Sequence, residues 1–278
     1  MSQYQSFIGK NERREDTVWP ALARALAATL DLPTPVDGRL PPLWHWALFQ
    51  DWAPTAVLGA DGHPQRGNFL PSEPALPRRM WVGGRLQFHH PLLIGEPVSC
   101  TRTIVRVEEK SGSSGRLLFV TVGHTIVNEG GVALTEEQDL VYRQPSIAAG
   151  VAPEQAARPV AGCAMTSVMV DTRLLFRYSA VTGNAHRIHY DQDYAMNEEG
   201  YAGLLVHGPL QATLLAGFAI QQRAGRVLAT FSFRSQRPAL LQHCPLTLEA
   251  WPEGEHLRLR SLDRERTVCT AAEARFST

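Results

Sequence analysis

Pro209-Leu210-Gln211-Ala212-Thr213-Leu214-Leu215-Ala216-Gly217-Phe218-Ala219-Ile220-Gln221-Gln222-Arg223 is a mostly apolar run headed by a proline. Proline suits the first position of a helix, where its missing N–H is not needed, so a helix is expected over 209–223. The pattern on its C-terminal side sets the architecture. Residues 227–234, 244–252, 256–262 and 268–276 alternate apolar and polar side chains, the period-two pattern of strands. Ahead of the helix, 174–179 reads as a short strand and 193–197 as a helical turn.

The first half has the same grammar. Residues 17–30 are rich in Ala and Leu, with Asp16 and Thr17 as cap candidates and Pro20 in the first turn. Leu22, Leu26 and Leu30 fall four apart with Ala23 and Ala27 beside them, giving a helix face to bury against a sheet. Residues 33–77 are dominated by Pro, Gly and Trp, and Leu40-Pro41-Pro42-Leu43-Trp44-His45-Trp46 cannot sustain a helix. A long ordered loop with at most a short helical piece is expected there. Residues 85–89, 97–108, 116–128 and 136–142 then alternate as strands, separated by Gly95-Glu96, 111–115 and Gly130-Gly131. A helix followed by antiparallel strands, twice over, predicts two similar α+β units packed side by side. The boundaries read from composition are a unit over 1–145, a Pro/Ala/Gln-rich linker over 146–162, and a unit over 163–278.

Lys plus Arg equals Asp plus Glu at 27 each, so the 278-residue chain has no broad basic face for nucleic acid. An anionic ligand must be held by local positive groups. Cys100, Cys163, Cys244 and Cys269 are far apart, without zinc spacing, and no leader pattern opens the sequence, which predicts a reduced, cytoplasmic protein. No apolar run reaches the length of a membrane span.

Residues 177–191 and 205–210 carry the chemistry. An amide (Asn184), two imidazoles (His186, His189) and a carboxylate (Asp191) precede His207 and Gly208, a glycine at the expected helix start. That is the inventory of a small acid/base site with an oxyanion binder beside it. Each residue also has an ordinary reading. His189 can hold a loop, Asn184 can close a turn, Asp191 reads as the cap of the next helical turn, and His207 either orients the loop or meets substrate. His186-x-x-His189 has the spacing of two metal ligands, but Arg187 and Ile188 and the non-helical context argue against it, and no metal is expected. Arg78, Arg79, His89 and His90 form a second polar cluster suited to CoA phosphates or a substrate carboxylate. Arg177 and Arg187 are further candidates for a distal carboxylate.

Ser179-x-x-x-Gly183-Asn184-x-His186-x-Ile188-His189-x-Asp191, with His207-Gly208 downstream, resembles the hydratase motif of the MaoC-like, R-specific enoyl-CoA hydratases. Thr182-x-Asn184-x-His186-Arg187-Ile188-His189-Tyr190-Asp191 with Val206-His207-Gly208-Pro209-Leu210 is more similar to the type 2 hydroxyacyl-thioester dehydratase branch. So are 40–46, 77–84 and 138–143, so the resemblance spans nearly the whole chain. It implies a double hot-dog, each unit a sheet wrapped around a long helix. It also implies hydration of an unsaturated short branched dicarboxylic acyl-CoA, as in the bacterial members acting on itaconyl-CoA or mesaconyl-C4-CoA to give citramalyl-CoA in itaconate breakdown.

Coenzyme A then belongs to the substrate and no cofactor is implied. Paired units imply a monomer or a homodimer of double hot-dogs. One position departs from the MaoC-like pattern: Asn184 stands where an aspartate is usual. An amide takes no proton at neutral pH, so His189 must be the base, with Asn184 orienting water or imidazole and the Gly208 N–H receiving charge on the thioester oxygen. A thioesterase on the same fold and a non-catalytic acyl-thioester-binding protein are the alternative readings.

Overall fold

Pattern becomes structure most directly in the first half, where alternating residues pair as long antiparallel strands. The computed structural model describes residues 3–64, 69–112, 115–144 and 156–277. The first half contributes β1 (Asn11–Thr17), β2 (Arg78–Phe88), β3 (Pro97–Gly112), β4 (Gly115–Asn128) and β5 (Gly131–Arg143). The second contributes β6 (Ala164–Val168), β7 (Leu228–Ser235), β8 (Leu246–Glu253), β9 (His256–Leu262) and β10 (Val268–Phe276). All ten join one sheet in the order β1-β3-β4-β5-β2-β7-β10-β9-β8-β6, so the second half mirrors the order of the first about the β2–β7 pair. At that seam Gly84 faces Phe233, and a Cβ there would lie 2.9 Å from the Phe233 ring. A glycine is needed for the two sheets to close into one.

Sequence alternation missed β1 and β6. Both are sheet edges, and β1 reads Asn-Glu-Arg-Arg-Glu-Asp-Thr, a charged strand with no apolar face to detect. Charge on an edge is what keeps unpaired backbone from recruiting another chain. Asp16 and Thr17 belong to this strand and cap no helix. α1 (Pro20–Thr29) has Trp19 at its N-cap with no side-chain cap, while the Asp16 carboxylate accepts from the Thr17 and Phe49 backbone N–H groups, both at 2.7 Å.

The expected strand over 174–179 is instead part of a helix, α2 (Thr172–Val181). Asp171 caps it by accepting from the Leu174 N–H at 3.0 Å. Its buried residues Leu175, Tyr178 and Ser179 follow helical spacing, and Phe176 points to solvent. The run of large apolar residues imitated a strand, and the cap was the better signal. α3 (Gln192–Asn197) and α4 (Gly208–Gln222) lie where expected. Most of the expected linker falls on 145–155, outside the described residues; its end docks through Ala157 N–H to the Arg266 carbonyl at 2.9 Å.

The halves differ in what fills them. α4 lies across β7, β10, β9 and β8, and Ala212, Leu215, Ala216 and Ala219 are fully buried there. The buried Gln211 Oε1 accepts from Ser261 Oγ at 2.8 Å and Thr270 Oγ1 at 3.1 Å, as burial demands. In the first half α1 packs chiefly on α2 and on a 3-10 turn at Trp44–Ala47. Its Ala23, Leu26 and Ala27 join Val98, Ile126 and Leu134 in a smaller cluster. A cavity of about 510 Å³ occupies the remaining space over β3–β5 and reaches the second half at Asn184 and Pro209. No described helix is long and apolar enough to cross a membrane.

Candidate active site

The loop leaving α2 carries the expected site. Asn184 N–H donates to the Ser179 carbonyl at 2.9 Å, and Asn184 Oδ1 accepts from the His186 N–H at 3.0 Å. The amide therefore closes a turn and also lines the cavity, with its NH2 on the side away from the bond that fixes its oxygen. Ile188 and His189 lie in a 3-10 turn, Arg187–His189, and both are buried.

His189 is 7% exposed and its Nδ1 lies 2.9 Å from the Leu205 carbonyl oxygen. A carbonyl only accepts, so Nδ1 holds the proton and Nε2 is left with a lone pair. Burial pushes the His189 pKa down to about 4, opposed by the Leu205 hydrogen bond and aided by His63. The imidazole is neutral at pH 7. Behind it His207, fully buried, stacks at 3.6 Å between ring centroids, and its Nε2 is 2.8 Å from Ser179 Oγ. His207 is the N-cap residue of α4 and stacks on His189; His189, His207 and Gly208 all lie outside the cavity lining, beside its residues Asn184 and Pro209. Gly208 opens α4, whose first N–H groups lack intrahelical partners and whose dipole favours negative charge. A Cβ at Gly208 would meet Ser235 Oγ at 3.3 Å, so the closeness of the neighbouring strand adds a packing reason for glycine.

The arginines expected at substrate divide. Arg79 lines the cavity. Arg78 does not; its Nε pairs with Glu199 at 3.0 Å and its Nη2 donates to the Glu198 carbonyl at 2.9 Å, tying β2 to the end of α3. Arg187 is likewise engaged in structure: Asp191 accepts from its Nε at 3.0 Å and Nη2 at 2.7 Å, and the Ala60 carbonyl from its Nη1 at 2.9 Å. Asp191 also caps α3 through the Tyr194 N–H at 3.0 Å, the role expected of it. Arg177 is exposed on the outer side of α2. His186 and His189 meet edge to face at 5.7 Å but converge with no third ligand. Among the described residues three potential metal ligands come together only at His243, Asp263 and Glu265, away from this loop.

Sequence reasoning missed the segment 59–64. His63 lines the cavity, with its Nδ1 3.3 Å from Asp61 Oδ2 and its ring 4.5 Å from that of His186. The Asp61 carbonyl accepts from the Arg187 N–H at 3.0 Å, which docks this first-half loop on the Arg187–His189 turn. Gly62 sits between them at φ +89°, and a Cβ there would collide with the Ala185 carbonyl. Asp61-Gly62-His63 in a Pro/Gly/Trp-rich stretch looks like any turn. Only the docking reveals its place.

Solved structures with this arrangement identify the fold. A MaoC-like dehydratase from Phytophthora capsici superposes with a TM-score of 0.72 at 14% identity, covering 100% of this chain and 98% of that one. A Mycobacterium tuberculosis protein described as a double hot-dog superposes at 0.55 with 14% identity, covering 97% and 96%. The fold is a double hot-dog. Residues 43–241 match the family model described as hydroxyacyl-thioester dehydratase type 2. The mesaconyl-C(4)-CoA hydratase of Chloroflexus aurantiacus is 46% identical over 263 residues, covering 94% of this chain and 93% of that one. The chain belongs to the hydroxyacyl-thioester dehydratase type 2 family.

Proposed function

We propose that the protein hydrates an unsaturated, short, branched dicarboxylic acyl-CoA, converting mesaconyl-C4-CoA or itaconyl-CoA to citramalyl-CoA. The carrying observation is the buried His189, whose Nδ1–H is committed to the Leu205 carbonyl and whose Nε2 is an unprotonated base at neutral pH. With mesaconyl-C4-CoA, whose double bond is conjugated with the thioester, Nε2 takes a proton from water as the water oxygen bonds to the β-carbon, and the Asn184 NH2 orients that water by donating to it; itaconyl-CoA, unsaturated one carbon further out, reaches the same route once its α-proton has been moved to the terminal CH2. The electron pair of the double bond moves toward the thioester oxygen, which the Gly208 N–H and the α4 dipole stabilise. The imidazolium then returns its proton to the α-carbon, so the site ends as it began. The CoA ester is substrate, and the reaction draws on no cofactor. The four cysteines are unpaired, in keeping with a reducing cytoplasm, and the chain acts as a monomer or homodimer.

A thioesterase would need a nucleophile, or an activated water aimed at the thioester carbonyl. Ser179 and His207 form a serine–histidine pair, but His207 Nδ1 has no hydrogen-bond partner, so no carboxylate orients that imidazole as a nucleophile's base, which favours hydration. The test monitors ultraviolet loss of the enoyl thioester of mesaconyl-C4-CoA together with free-thiol release. Wild type is expected to remove the enoyl signal without releasing thiol, and His189→Ala to lose about 10³-fold in turnover. Undiminished turnover by His189→Ala refutes the base assignment, and thiol release by wild type establishes hydrolysis.

A further inference from the structure

The inner face of the first-half sheet carries a charged row. Glu12 on β1, Arg102 on β3, His124 on β4 and Glu136 on β5 stand directly opposite one another in register. Opposed residues share a face, so four ionisable side chains cross the part of the sheet that α4 covers in the other half. All four line the cavity together with Arg14. Charges buried on an inner face are costly unless each is paired, so their partners can be audited.

The acceptors are filled. Glu136 receives Trp46 Nε1 at 2.9 Å and Gln138 Nε2 at 3.0 Å, and His45 Nε2 lies 3.2 Å away. Glu12 is shared by two guanidiniums, Arg14 at 3.1 Å and Arg102. Asp51, the other partner of Arg14, is mostly in solvent. The unused donor belongs to a guanidinium. Arg102 Nε is buried without a hydrogen-bond partner, and so is His124 Nδ1. The missing complement is an anion.

We propose that Arg14 and Arg102, flanked by His124, bind the free carboxylate at the far end of the acyl group, which makes this row the specificity determinant for a dicarboxylic thioester. The inference rests on the hydratase reading for its substrate. Reach supports it. Arg14 Nη1 donates to the Phe49 carbonyl at 3.0 Å, and Gln50, the next residue, packs 3.0 Å from the Cβ position of Gly183, the neighbour of Asn184. The guanidinium cluster is thus tied to the Asn184 loop through Phe49 and Gln50, and both line the same cavity. A monocarboxylic acyl chain entering the same space would press methyl groups against guanidiniums and leave the buried Arg102 Nε without an acceptor. The row therefore rejects fatty enoyl thioesters as well as attracting diacids.

Binding tests this independently of turnover. Succinyl-CoA and butyryl-CoA differ by a carboxylate in place of a methyl and contain no double bond to hydrate. Calorimetric titration of the wild-type chain is expected to give succinyl-CoA tighter by about 100-fold. Arg102→Gln and, separately, Arg14→Gln should cut most of that preference while leaving butyryl-CoA within about threefold, and Arg102→Lys should restore part of it. Equal wild-type affinity for the two esters overturns the proposal without any variant. So does loss of both affinities together in a variant whose melting temperature is unchanged. Should wild type prefer succinyl-CoA yet hydrate no enoyl ester, the carboxylate subsite stands and the hydratase reading falls.

Discussion

Asn184 does two things, closing a turn with its side-chain oxygen and lining the cavity, with its NH2 left out of that bond. An aspartate would keep the first role and replace the second with charge. Placed near His189, that charge would favour imidazolium. In the wild type the acid limb of kcat/KM should lie near the His189 value of about 4, well below the ordinary 6.5, because burial holds the ring neutral. In Asn184→Asp the limb should move up in pH. A pH–rate profile from 3.5 to 8 decides it, and an unmoved limb separates Asn184 from the base. These residues were legible because they lie together along the chain, whereas the roles of Arg78, Arg187 and His207 were set by partners the sequence does not reveal: Glu199, Asp191 and the stacked His189 ring.

Helices and strands were legible where one face is buried. α4 and the central strands satisfy that, and their apolar periods showed it. β1 is an edge whose charges pair across to Arg102, so its pattern is electrostatic, and α2 hid behind consecutive large apolar residues. The 59–64 loop was illegible for another reason: its partner is the turn at 184–187 in the other half. Gly62→Ala tests that docking. A side chain at φ +89°, directed into the Ala185 carbonyl, should cost roughly 1–3 kcal/mol in stability and should lower kcat/KM by displacing His63 and the Arg187 turn. Thermal melts with steady-state assays measure both, and wild-type values in each would show that the contact positions nothing.

Burial of neutral imidazoles sets how the whole molecule responds to acid. His124 and His189 are each pushed to about 4, His186 further down and His207 well below its ordinary value, all chiefly by burial. The unfolded chain, with histidines near 6.5, binds protons that the folded chain refuses between about 6.5 and 4. Stability is complete above the unfolded value and is lost as pH falls through that window. The melting temperature should be nearly flat from pH 7 to 8 and fall steadily from 6.5 toward 4. A flat profile through the acid range would contradict the buried neutral cluster. The paired-unit plan was readable from two helix-then-strand runs, but the cavity was not, because a Pro-rich loop announces the absence of a helix and says nothing of what stands in its space.

The Gly84–Phe233 seam has an evolutionary and practical corollary. In a dimer of identical hot-dogs every substitution lands twice, and each site has a twin that must tolerate it. Here each lands once. One half can hold a cavity lined by guanidiniums while the other holds a central helix beside its imidazoles, a division of labour closed to a symmetric pair. Engineering inherits that freedom: the first-half cavity can be recut for another acyl group without a matching change appearing beside His189.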